Sequence, residues 1–533
     1  MNDALDAPPS RSHRGDVADG SSLPTPDPEL CAALAADLRA SGFRSDALRE
    51  AWGEAADDAI GRGLRRPAER ALGERTDALA TLGRQLALGV PQPVDAVDDA
   101  LPRLGARGLA GLGLAKVDRD LVVPLALVRP QSFADGSGDG EWWIASDLDE
   151  AALGDALPAD HVVGAGGASL TLAGLQLPTP ARRVLDLGTG CGIQALRARR
   201  DGDAVVATDV SRRALRYADL NALLNDVEGI GTRHGSLFEP VAGETFDRIV
   251  SNPPFVITPR ADGVPAYEYR DAGLMGDALV EAVVTGVGTH LEPGGVAQLL
   301  GNWESREGHD GLDRVREWVE SSPVPLDAWV VEREQLNPIE YAELWIRDGG
   351  TRPGTPRHAE MLEAWLDDFA DRGVTAVGLG YVLLRRADGG PTLSRYERLP
   401  QPLGTQSALG TGLAAALAAH DRLTTMDDDA LADAVLTVAR DVTEARHHMP
   451  GTPEPSVIEL RQGGGFARTV TADPSLAALV GACDGELAVG QLTVAIAALL
   501  DVDAAELRES LLPQVRRLLI DGFLAFADDA PSA

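Results

Sequence analysis

The middle of this chain is predicted to form an α/β fold around a doubly wound, mainly parallel sheet, with helix-rich segments on both sides. Between residues 158 and 400, short apolar runs rich in β-branched residues alternate with helical segments. One of these runs leads directly into a glycine-rich turn, and the flanking segments carry apolar residues at helical spacings. Alternation of this kind is typical of parallel sheets with right-handed crossovers, whose ligands bind at the carboxyl ends of the strands.

The composition describes a large, acidic, folded protein. Its 533 residues exceed one compact core, and at roughly 150 residues per domain they allow about three or four domains. The chain has 48 Lys and Arg against 82 Asp and Glu, a formal net charge of −34, and 44% of its residues are hydrophobic. This charge repels a phosphate backbone, so non-specific coating of nucleic acid is disfavoured.

The cysteines indicate a reducing compartment, and the histidines and apolar runs give no sign of a metal site or a membrane span. Cys31, Cys191 and Cys483 have neither disulfide nor metal spacing. The pair His447 and His448 has no companion ligands at metal spacing, so no metal is expected. No apolar run of about 18 residues occurs, so no membrane partner is expected. We therefore expect a cytoplasmic protein.

Four segments are expected along the chain. Residues 1–28 are polar, acidic and proline-rich, which predicts a disordered leader. Residues 29–157 are predicted to form a helical or winged-helix-like accessory domain, and residues 158–400 the α/β domain. Residues 401–533 are predicted to form an α-rich domain that also resembles a winged helix in its pattern.

Elements in the two flanking segments follow from apolar periodicity. The leucines that define helical stripes near the N-terminus are Leu30, Leu34, Leu38, Leu72, Leu79, Leu82 and Leu86. Two strands, Leu121–Val128 and Glu141–Ser146, are expected around the turn Asp135–Gly140. Near the C-terminus a strand from Val457 is expected, followed by helices at Ser475–Ala482, Val489–Leu500 and Ala504–Leu519 and an apolar end at Phe523–Phe526.

The strands of the α/β segment are short runs of apolar residues. They are predicted at Arg183–Leu187, Ala204–Thr208, Thr232–Ser236, Arg248–Ser251, Val296–Leu300, Ala328–Glu332, Glu343–Ile346 and Val374–Leu384. The last run is long enough to indicate a hairpin or an antiparallel edge strand.

The most informative stretch is a strand that runs into a glycine turn and then into a helix ending near Arg200. The turn contains Gly188, Gly190 and Gly192. Glycine is needed where backbone approaches a ligand closely, because a Cβ would collide or require a disfavoured φ. A dinucleotide fingerprint would place its third glycine at Ile193, so a pyrophosphate site is not matched.

Two carboxylates beside the turn suit a nucleoside without phosphates. Asp186 stands just before the turn, and Asp209 ends the next strand. Asp209 can accept hydrogen bonds from both ribose hydroxyls of a bound adenosine, which favours S-adenosylmethionine over NAD as the cofactor. The alternative is a tight strand-to-helix turn that binds no ligand.

The sequence Asn252-Pro253-Pro254-Phe255 follows a later strand. Two successive prolines end a sheet strand, because neither donates to a ladder and the residue before each is held extended. A stiff bend at this point presents the Asn252 side-chain oxygen and the Pro253 carbonyl together, as two acceptors for the hydrogens of a planar –NH₂ group. The alternative is a strand terminator without chemistry.

Such an amine is a poor nucleophile because its lone pair is delocalised. Accepting both hydrogens returns electron density to nitrogen and favours the geometry needed to attack a methyl sulfonium in line. Phe255 would stack on the flat acceptor group. The motif thus predicts methyl transfer to an amino nitrogen without a strong base.

These motifs together resemble class I S-adenosylmethionine-dependent methyltransferases of the amino-methylating group. That group includes HemK-like glutamine methyltransferases, the small methyltransferase domain of ribosomal-RNA guanine enzymes, and adenine amino methyltransferases. The resemblance covers about residues 159–388 and implies a Rossmann-like, seven-stranded methyltransferase sheet. It is specific for the reaction class and separates substrates poorly.

The resemblance also implies roles for individual residues. Those expected around the methionine part are Asp186, Gly188, Gly190 and Gly192, with Asp209 on the ribose. Those expected to be catalytic are Asn252, which also borders the cofactor, Pro253 and Phe255, with Pro254 contacting the substrate. HemK-like enzymes usually have Asp where this chain has Ser236, so the adenine amino group is expected to meet Ser236 or backbone.

Two loops complete the expected site. The segment Gly164–Thr171 is expected either to cover the cofactor or to be a plain connector. Arg270, in a loop after the proline motif, is expected to contact an acidic or phosphate group of the substrate, and a solvated loop is the alternative.

The acceptor has two candidates of similar weight. An exocyclic amine of guanine or adenine in RNA or DNA is favoured by Phe255 and by a cluster of arginines at Arg62, Arg65, Arg66 and Arg70. A glutamine of a protein such as a translation factor is favoured by the acidity of the chain and by the HemK-like turn. A third interpretation is a regulator or inactive homologue that binds the cofactor and contacts partners through its winged-helix-like ends.

Overall fold

The computed structural model describes residues 23–135, 138–154, 157–260, 264, 274–403 and 409–528. Its N-terminal part is a helical assembly with two small sheets. The helices are α1 (Pro28–Ala40), α2 (Ser45–Trp52), α3 (Glu54–Ile60), α4 (Arg66–Leu72), α5 (Ala78–Leu82), α6 (Val94–Ala100), α7 (Gly105–Gly111) and α8 (Glu150–Leu153). The strands are β1 (Gln92–Pro93), β2 (Ala115–Asp118), β3 (Leu121–Pro124), β4 (Ala126–Asp135) and β5 (Gly138–Asp147).

The N-terminal elements follow the sequence pattern closely. Helix α1 begins where Asp27 accepts a hydrogen bond from the Leu30 amide, and its stripe residues Leu34 and Leu38 are fully buried. The predicted strand Leu121–Val128 is divided between β3, which pairs with β1 and β2, and β4, which forms an antiparallel hairpin with β5. The winged-helix interpretation of this part and its boundaries stay predictions.

The central sheet contains, among the described residues, eight strands. They are β6 (Ala181–Leu187), β7 (Gly202–Asp209), β8 (Ile230–His234), β9 (Phe246–Ser251), β10 (Leu291–Arg306), β11 (Leu326–Leu336), β12 (Val374–Arg386) and β13 (Ser394–Arg398). Their order across the sheet is β13-β11-β12-β10-β9-β6-β7-β8. Strands β8, β7, β6, β9 and β10 are parallel, so their carboxyl ends meet at one edge of the sheet.

Helices connect these strands and cover both faces of the sheet. They are α9 (Gly167–Leu175), α10 (Ile193–Ala198), α11 (Arg212–Leu224), α12 (Ala278–Val287), α13 (Gly311–Glu320), α14 (Pro338–Asp348) and α15 (Pro356–Asp371). The predicted α/β class with a mainly parallel sheet is confirmed. No helix among the described residues has the length and apolar character needed to cross a bilayer.

Three details of the predicted sheet are corrected. Glu343–Ile346 is not a strand but the end of α14, because Asn337 and Glu340 form a capping box and Pro338 occupies the first turn. Val374–Leu384 is neither a hairpin nor an edge strand, since it lies within β12, which is antiparallel to β10 on one side and to β11 on the other. The edge beyond β11 is taken by β13, one strand more than the seven expected.

The C-terminal part combines helices with two further sheets. Its helices are α16 (Leu409–Thr424), α17 (Asp428–Asp433), α18 (Pro474–Ala482), α19 (Val489–Leu500) and α20 (Ala504–Ile520). Its strands are β14 (Val435–Val438), β15 (Val442–His448), β16 (Pro455–Gln462), β17 (Thr469–Ala472), β18 (Asp484–Ala488) and β19 (Leu524–Phe526). The C-terminal helices therefore lie where their periodicity predicts them.

The N-terminal part and the central sheet share one hydrophobic core. Buried residues of α10 and α11, such as Ile193 and Leu220, belong to the same cluster as Leu34 of α1 and Ile144 of β5. The buried Asn221 side chain joins the two parts through hydrogen bonds: its Oδ1 accepts from the Ala145 amide at 2.7 Å, and its Nδ2 donates to the carbonyls of Ala145 and Cys191 at 2.9 and 2.8 Å. The β4–β5 hairpin is thereby fixed on α11.

We expect Asn221→Ala to lower the free energy of unfolding by about 3 kcal/mol, because it leaves buried backbone groups of Ala145 and Cys191 without partners. Urea unfolding followed by circular dichroism measures the change. Leu223→Ala, at a more exposed position of the same helix, should cost about 0.5 kcal/mol or less. Equal losses in the two variants would contradict the bridging role of Asn221.

Candidate active site

The glycine turn follows β6 and borders a cavity. Gly188 and Gly190 have φ of +75° and +54°, and a Cβ built on either would have no atom within 4 Å. These glycines are therefore required by backbone conformation, and the space beside them is open to a ligand. The Thr189 hydroxyl donates to Asp186 Oδ2 at 2.6 Å and ties the turn to the end of β6.

Asp186 and Gly192 support this turn from behind and do not line the cavity. Asp186 is fully buried, and burial raises the pKa of its carboxyl to about 7 against the lowering effect of the Thr189 hydrogen bond. Gly192 has a φ of +87°, and a Cβ there would approach Ala218 of α11 at 3.0 Å. Gly192 thus allows α10 to begin in contact with α11.

Asp209 links the second strand to the same turn. Its Oδ2 accepts from the Gly190 amide at 3.0 Å and its Oδ1 accepts from the Ser211 amide at 2.8 Å. Burial raises the pKa of the Asp209 carboxyl, and these backbone hydrogen bonds oppose that rise. A carboxylate has about four acceptor positions, so Asp209 can still receive ribose hydroxyls from the cavity.

The proline motif begins directly after β9. The Ser251 hydroxyl donates to the Leu187 carbonyl at 2.8 Å, which ties this strand end to the start of the glycine turn. The Asn252 Nδ2 donates to the Ser169 hydroxyl at 3.3 Å. Asn252 Oδ1 is buried and has no hydrogen-bond partner among the described residues. A buried acceptor without a partner is costly and marks a place where a ligand can donate.

One cavity of about 680 Å³ joins these features. The predicted site residues that line it are Gly188, Gly190, Asp209, Ser236, Asn252, Pro253, Pro254 and Phe255. The segment Gly164–Thr171 contributes Gly164, Gly166, Gly167, Ala168 and Ser169 to the wall. Arg270 lies outside the described residues.

Several lining residues, among them Trp345 and Asp348, were not predicted from the sequence, and neither was the contact between Asn252 and Ser169 of the predicted Gly164–Thr171 segment. Ser169, in the first turn of α9, contacts Asn252, and its carbonyl accepts from Gln194 Nε2 at 2.6 Å. Trp345 and Asp348 of α14 also line the cavity. The small residues of Gly164–Thr171 were the sequence signal for the wall that contains Ser169. No sequence feature near Trp345 distinguished it from a core residue.

The lining residues fit S-adenosylmethionine. Open space beside two glycines can receive its amino-acid part, Asp209 can receive its ribose, and the unpaired Asn252 oxygen lies in the same cavity. The charged residues of the described lining, histidine apart, are acidic: Asp149, Glu150, Asp160, Asp209 and Asp348. Phosphates of a dinucleotide would find no Lys or Arg in this part of the wall. Within the described residues, no three His, Cys, Asp or Glu side chains are grouped to hold a metal ion.

Comparison with protein families confirms the resemblance. Residues 165–265 match the family described as "Methyltransferase small domain". The matched segment contains both the glycine turn and the proline motif. Residues 40–125 match a domain of unknown function, DUF7059. The fold class and the methyltransferase character of the central part thus have support beyond the motifs.

Curated relatives match the same central region. The chain is 37% identical over 131 residues to the release factor glutamine methyltransferase of Xylella fastidiosa strain Temecula1, which is 23% of this chain and 48% of that protein. It is 31% identical over 173 residues to the release factor glutamine methyltransferase of Yersinia pestis, covering 29% of this chain and 62% of that protein. The ribosomal protein uL3 glutamine methyltransferase of Bradyrhizobium diazoefficiens is 33% identical over 128 residues, covering 22% and 40%. The chain therefore spans about half the length of these relatives.

Solved structures match at low similarity. The YcgJ protein from Bacillus subtilis has a TM-score of 0.28 and 15% identity, covering 42% of this chain and 98% of that chain. A methyltransferase from Pyrococcus furiosus has a TM-score of 0.25 and 17% identity, covering 41% and 81%. The fold assignment rests on the sheet topology of this chain and on the family match.

We expect Asp186→Asn to change how stability depends on pH. The ordinary pKa of the carboxyl is 3.8 and its folded value is about 7, so the folded chain holds a proton in this window that the unfolded chain has lost. The stability contributed by the protonated group is present below the unfolded pKa and is lost as pH rises toward the folded value.

The asparagine stays neutral throughout this range. The unfolding free energy of Asp186→Asn, relative to the unaltered chain, should therefore rise by up to about 1.4 kcal/mol per pH unit across the window. Urea unfolding without cofactor at about pH 5 and about pH 8 measures the difference. A difference that does not change with pH would show that Asp186 is not protonated at the lower value.

Proposed function

We propose that this chain is an S-adenosylmethionine-dependent N-methyltransferase whose acceptor is the side-chain amide of a glutamine in a protein. The observation that carries the proposal is the buried, unpartnered Asn252 Oδ1 in a cavity that the glycine turn and Asp209 also line. An acceptor oxygen is needed there only if a donor group arrives with the substrate.

The cofactor supplies an electrophilic methyl group on a sulfonium. Gly188 and Gly190 would lie against its amino-acid part, Asp209 would accept its ribose hydroxyls, and Ser236 would lie near the adenine. Asp186 and Gly192 support these contacts by holding the turn and helix α10.

Asn252 and Pro253 would activate the acceptor. An amide nitrogen is weakly nucleophilic because its lone pair is delocalised into the carbonyl, and hydrogen bonds from its two hydrogens to Asn252 Oδ1 and the Pro253 carbonyl return density to nitrogen. With the amide held in this way, its nitrogen would bond to the methyl carbon as the methyl–sulfur bond breaks; S-adenosylhomocysteine would leave, and one amide proton would pass to solvent. Phe255, which is half-buried at the cavity, would hold the flat amide by stacking, and Pro254 would contact the substrate.

Two observations favour protein glutamine over a nucleobase. The matched relatives are named for glutamine methylation of a release factor or of ribosomal protein uL3. The described cavity wall carries carboxylates and no Lys or Arg, and the whole chain has a formal charge of −34, which disfavours a phosphate backbone. We further propose that the acceptor glutamine belongs to a macromolecule of the translation apparatus. The reaction is proposed to take place in the cytoplasm. A substrate contact by Arg270 stays a prediction.

Incubation with tritiated S-adenosylmethionine and a lysate of the host tests the proposal. We expect label that protease releases and nucleases do not, and mass spectrometry should place the methyl on a glutamine side chain. Label removed by RNase or DNase would contradict the glutamine acceptor and establish a nucleobase methyltransferase. Calorimetric binding of the cofactor without any label would contradict the enzyme and favour a cofactor-binding regulator.

We expect Asn252→Ala to lower the rate of methyl transfer by about 10² to 10³, the usual loss when one stabilising hydrogen-bond partner is removed from an active site. Cofactor affinity should fall much less than the rate, because the role proposed for Asn252 in methyl transfer concerns the acceptor. Initial rates on the labelled host protein and calorimetry with S-adenosylhomocysteine measure the two quantities. Full activity in the variant would show that Asn252 does not hold the acceptor.

A further inference from the structure

The carboxylate of Asp147 is a meeting point of three parts of the chain. Asp147 is the last residue of the N-terminal hairpin and is buried. Its Oδ1 accepts from Arg213 Nη2 at 2.5 Å and from the Tyr217 hydroxyl at 2.7 Å. Its Oδ2 accepts from Arg213 Nε at 2.8 Å and from the Val162 amide at 2.9 Å. The Asp147 amide also donates to the Val162 carbonyl at 3.1 Å.

These partners belong to two walls of the cavity. Val162 lies in the segment before α9, and Asp160, His161, Val162, Val163 and Gly164 all line the cavity. Arg213 and Tyr217 lie on α11, whose beginning contributes Ser211 and Ala214 to the lining. Asp147 therefore connects the wall that covers the cofactor side of the cavity with the helix that follows Asp209.

The groups around the carboxylate are themselves buried. Arg213 and Tyr217 are both largely buried, and His161 Nδ1 lies 4.0 Å from Asp147 Oδ2. A guanidinium held at two points and a backbone N–H both require an acceptor at this place, and removing it leaves buried donors unsatisfied. Loss of this acceptor would therefore weaken the attachment of the segment carrying Val162 to α11.

We propose that Asp147 is a positioning residue for cofactor binding, which holds residues 160–164 against α11 and closes the cofactor side of the cavity. The inference rests on the proposed function, since it takes the cavity to be the S-adenosylmethionine site. It gives the N-terminal part a role in that site, because the hairpin that carries Asp147 precedes the matched methyltransferase segment and leads into Asp149 and Glu150, which also line the cavity.

Asp147→Asn tests this role, and Asp327→Asn is its matched control. Asp327 is also a buried strand carboxylate that accepts from both Nε and Nη2 of one arginine, Arg385, at 3.0 and 2.7 Å, and from the amides of Thr392 and Leu393. It lies near the amino end of β11, at the sheet edge opposite the cavity. The two substitutions should lower the free energy of unfolding by similar amounts. A difference in cofactor affinity between the two variants would therefore report the positioning role of Asp147 and not a general loss of stability.

Calorimetry with S-adenosylmethionine on the full chain gives the first readout. We expect Asp147→Asn to raise Kd by about tenfold or more and Asp327→Asn to change it by less than about twofold. Tyr217→Phe, which removes one hydrogen bond and keeps the ring, should raise Kd by about threefold and remains measurable if Asp147→Asn does not fold.

Hydrogen–deuterium exchange gives a second readout that loss of overall stability does not produce. Peptides containing Val162 should exchange slowly in the unaltered chain with cofactor and rapidly in Asp147→Asn, while peptides from β11 exchange alike in both. A Kd that Asp147→Asn and Tyr217→Phe leave unchanged, or an equal rise in Asp327→Asn, would overturn the positioning role. An unaltered chain that binds no S-adenosylmethionine would instead contradict the proposed function, and this inference with it.

Discussion

The register of three parallel strands is the constraint on which the site depends. Leu187 of β6 pairs with Thr208 of β7 and with Ser251 of β9, so the three strands end at the same level. The residues that come next in each chain segment are the glycine turn, Asp209 and Asn252. Hydrogen bonds from Gly190 to Asp209 and from Ser251 to Leu187 then fix these ends to one another. A shift of one residue in any strand would send its motif to the wrong side of the sheet.

The N-terminal part is built into the same site by packing and by hydrogen bonds. It shares a hydrophobic core with α10 and α11. Two hydrogen-bonded contacts also join the hairpin to α11: Asn221 of α11 bonds Ala145 of the hairpin, and Tyr217 of α11 bonds Asp147 of the hairpin. Helix α11 therefore contacts both the glycine turn, where Gly192 meets Ala218, and the hairpin, where Asn221 bonds Ala145. The geometry of the cavity consequently depends on residues that lie outside the segment matched by the methyltransferase family.

Local signals predicted the strands, the glycine turn and the proline motif, because each is encoded by neighbouring residues. The strand predicted at Glu343–Ile346 is wrong, because a short apolar run fits either a strand or a turn of helix. The capping residue that decides for the helix, Asn337, lies several residues upstream. Asp147 was missed because its partners, Val162 and Arg213, are 15 and 66 residues away. Ser169 was found only as part of a small-residue segment, since its contact with Asn252 spans 83 residues. Contacts of this range are set by tertiary packing and leave no pattern in the sequence.

A crystal structure with S-adenosylhomocysteine and a glutamine-containing peptide would show whether Asn252 holds the acceptor amide beside the cofactor. We expect the ribose hydroxyls to lie on Asp209, the homocysteine part beside Gly188 and Gly190, and the glutamine amide nitrogen within hydrogen-bond distance of Asn252 Oδ1. A cofactor product bound elsewhere, or an Asn252 oxygen that another protein group satisfies while the glutamine lies outside the cavity, would contradict this expectation.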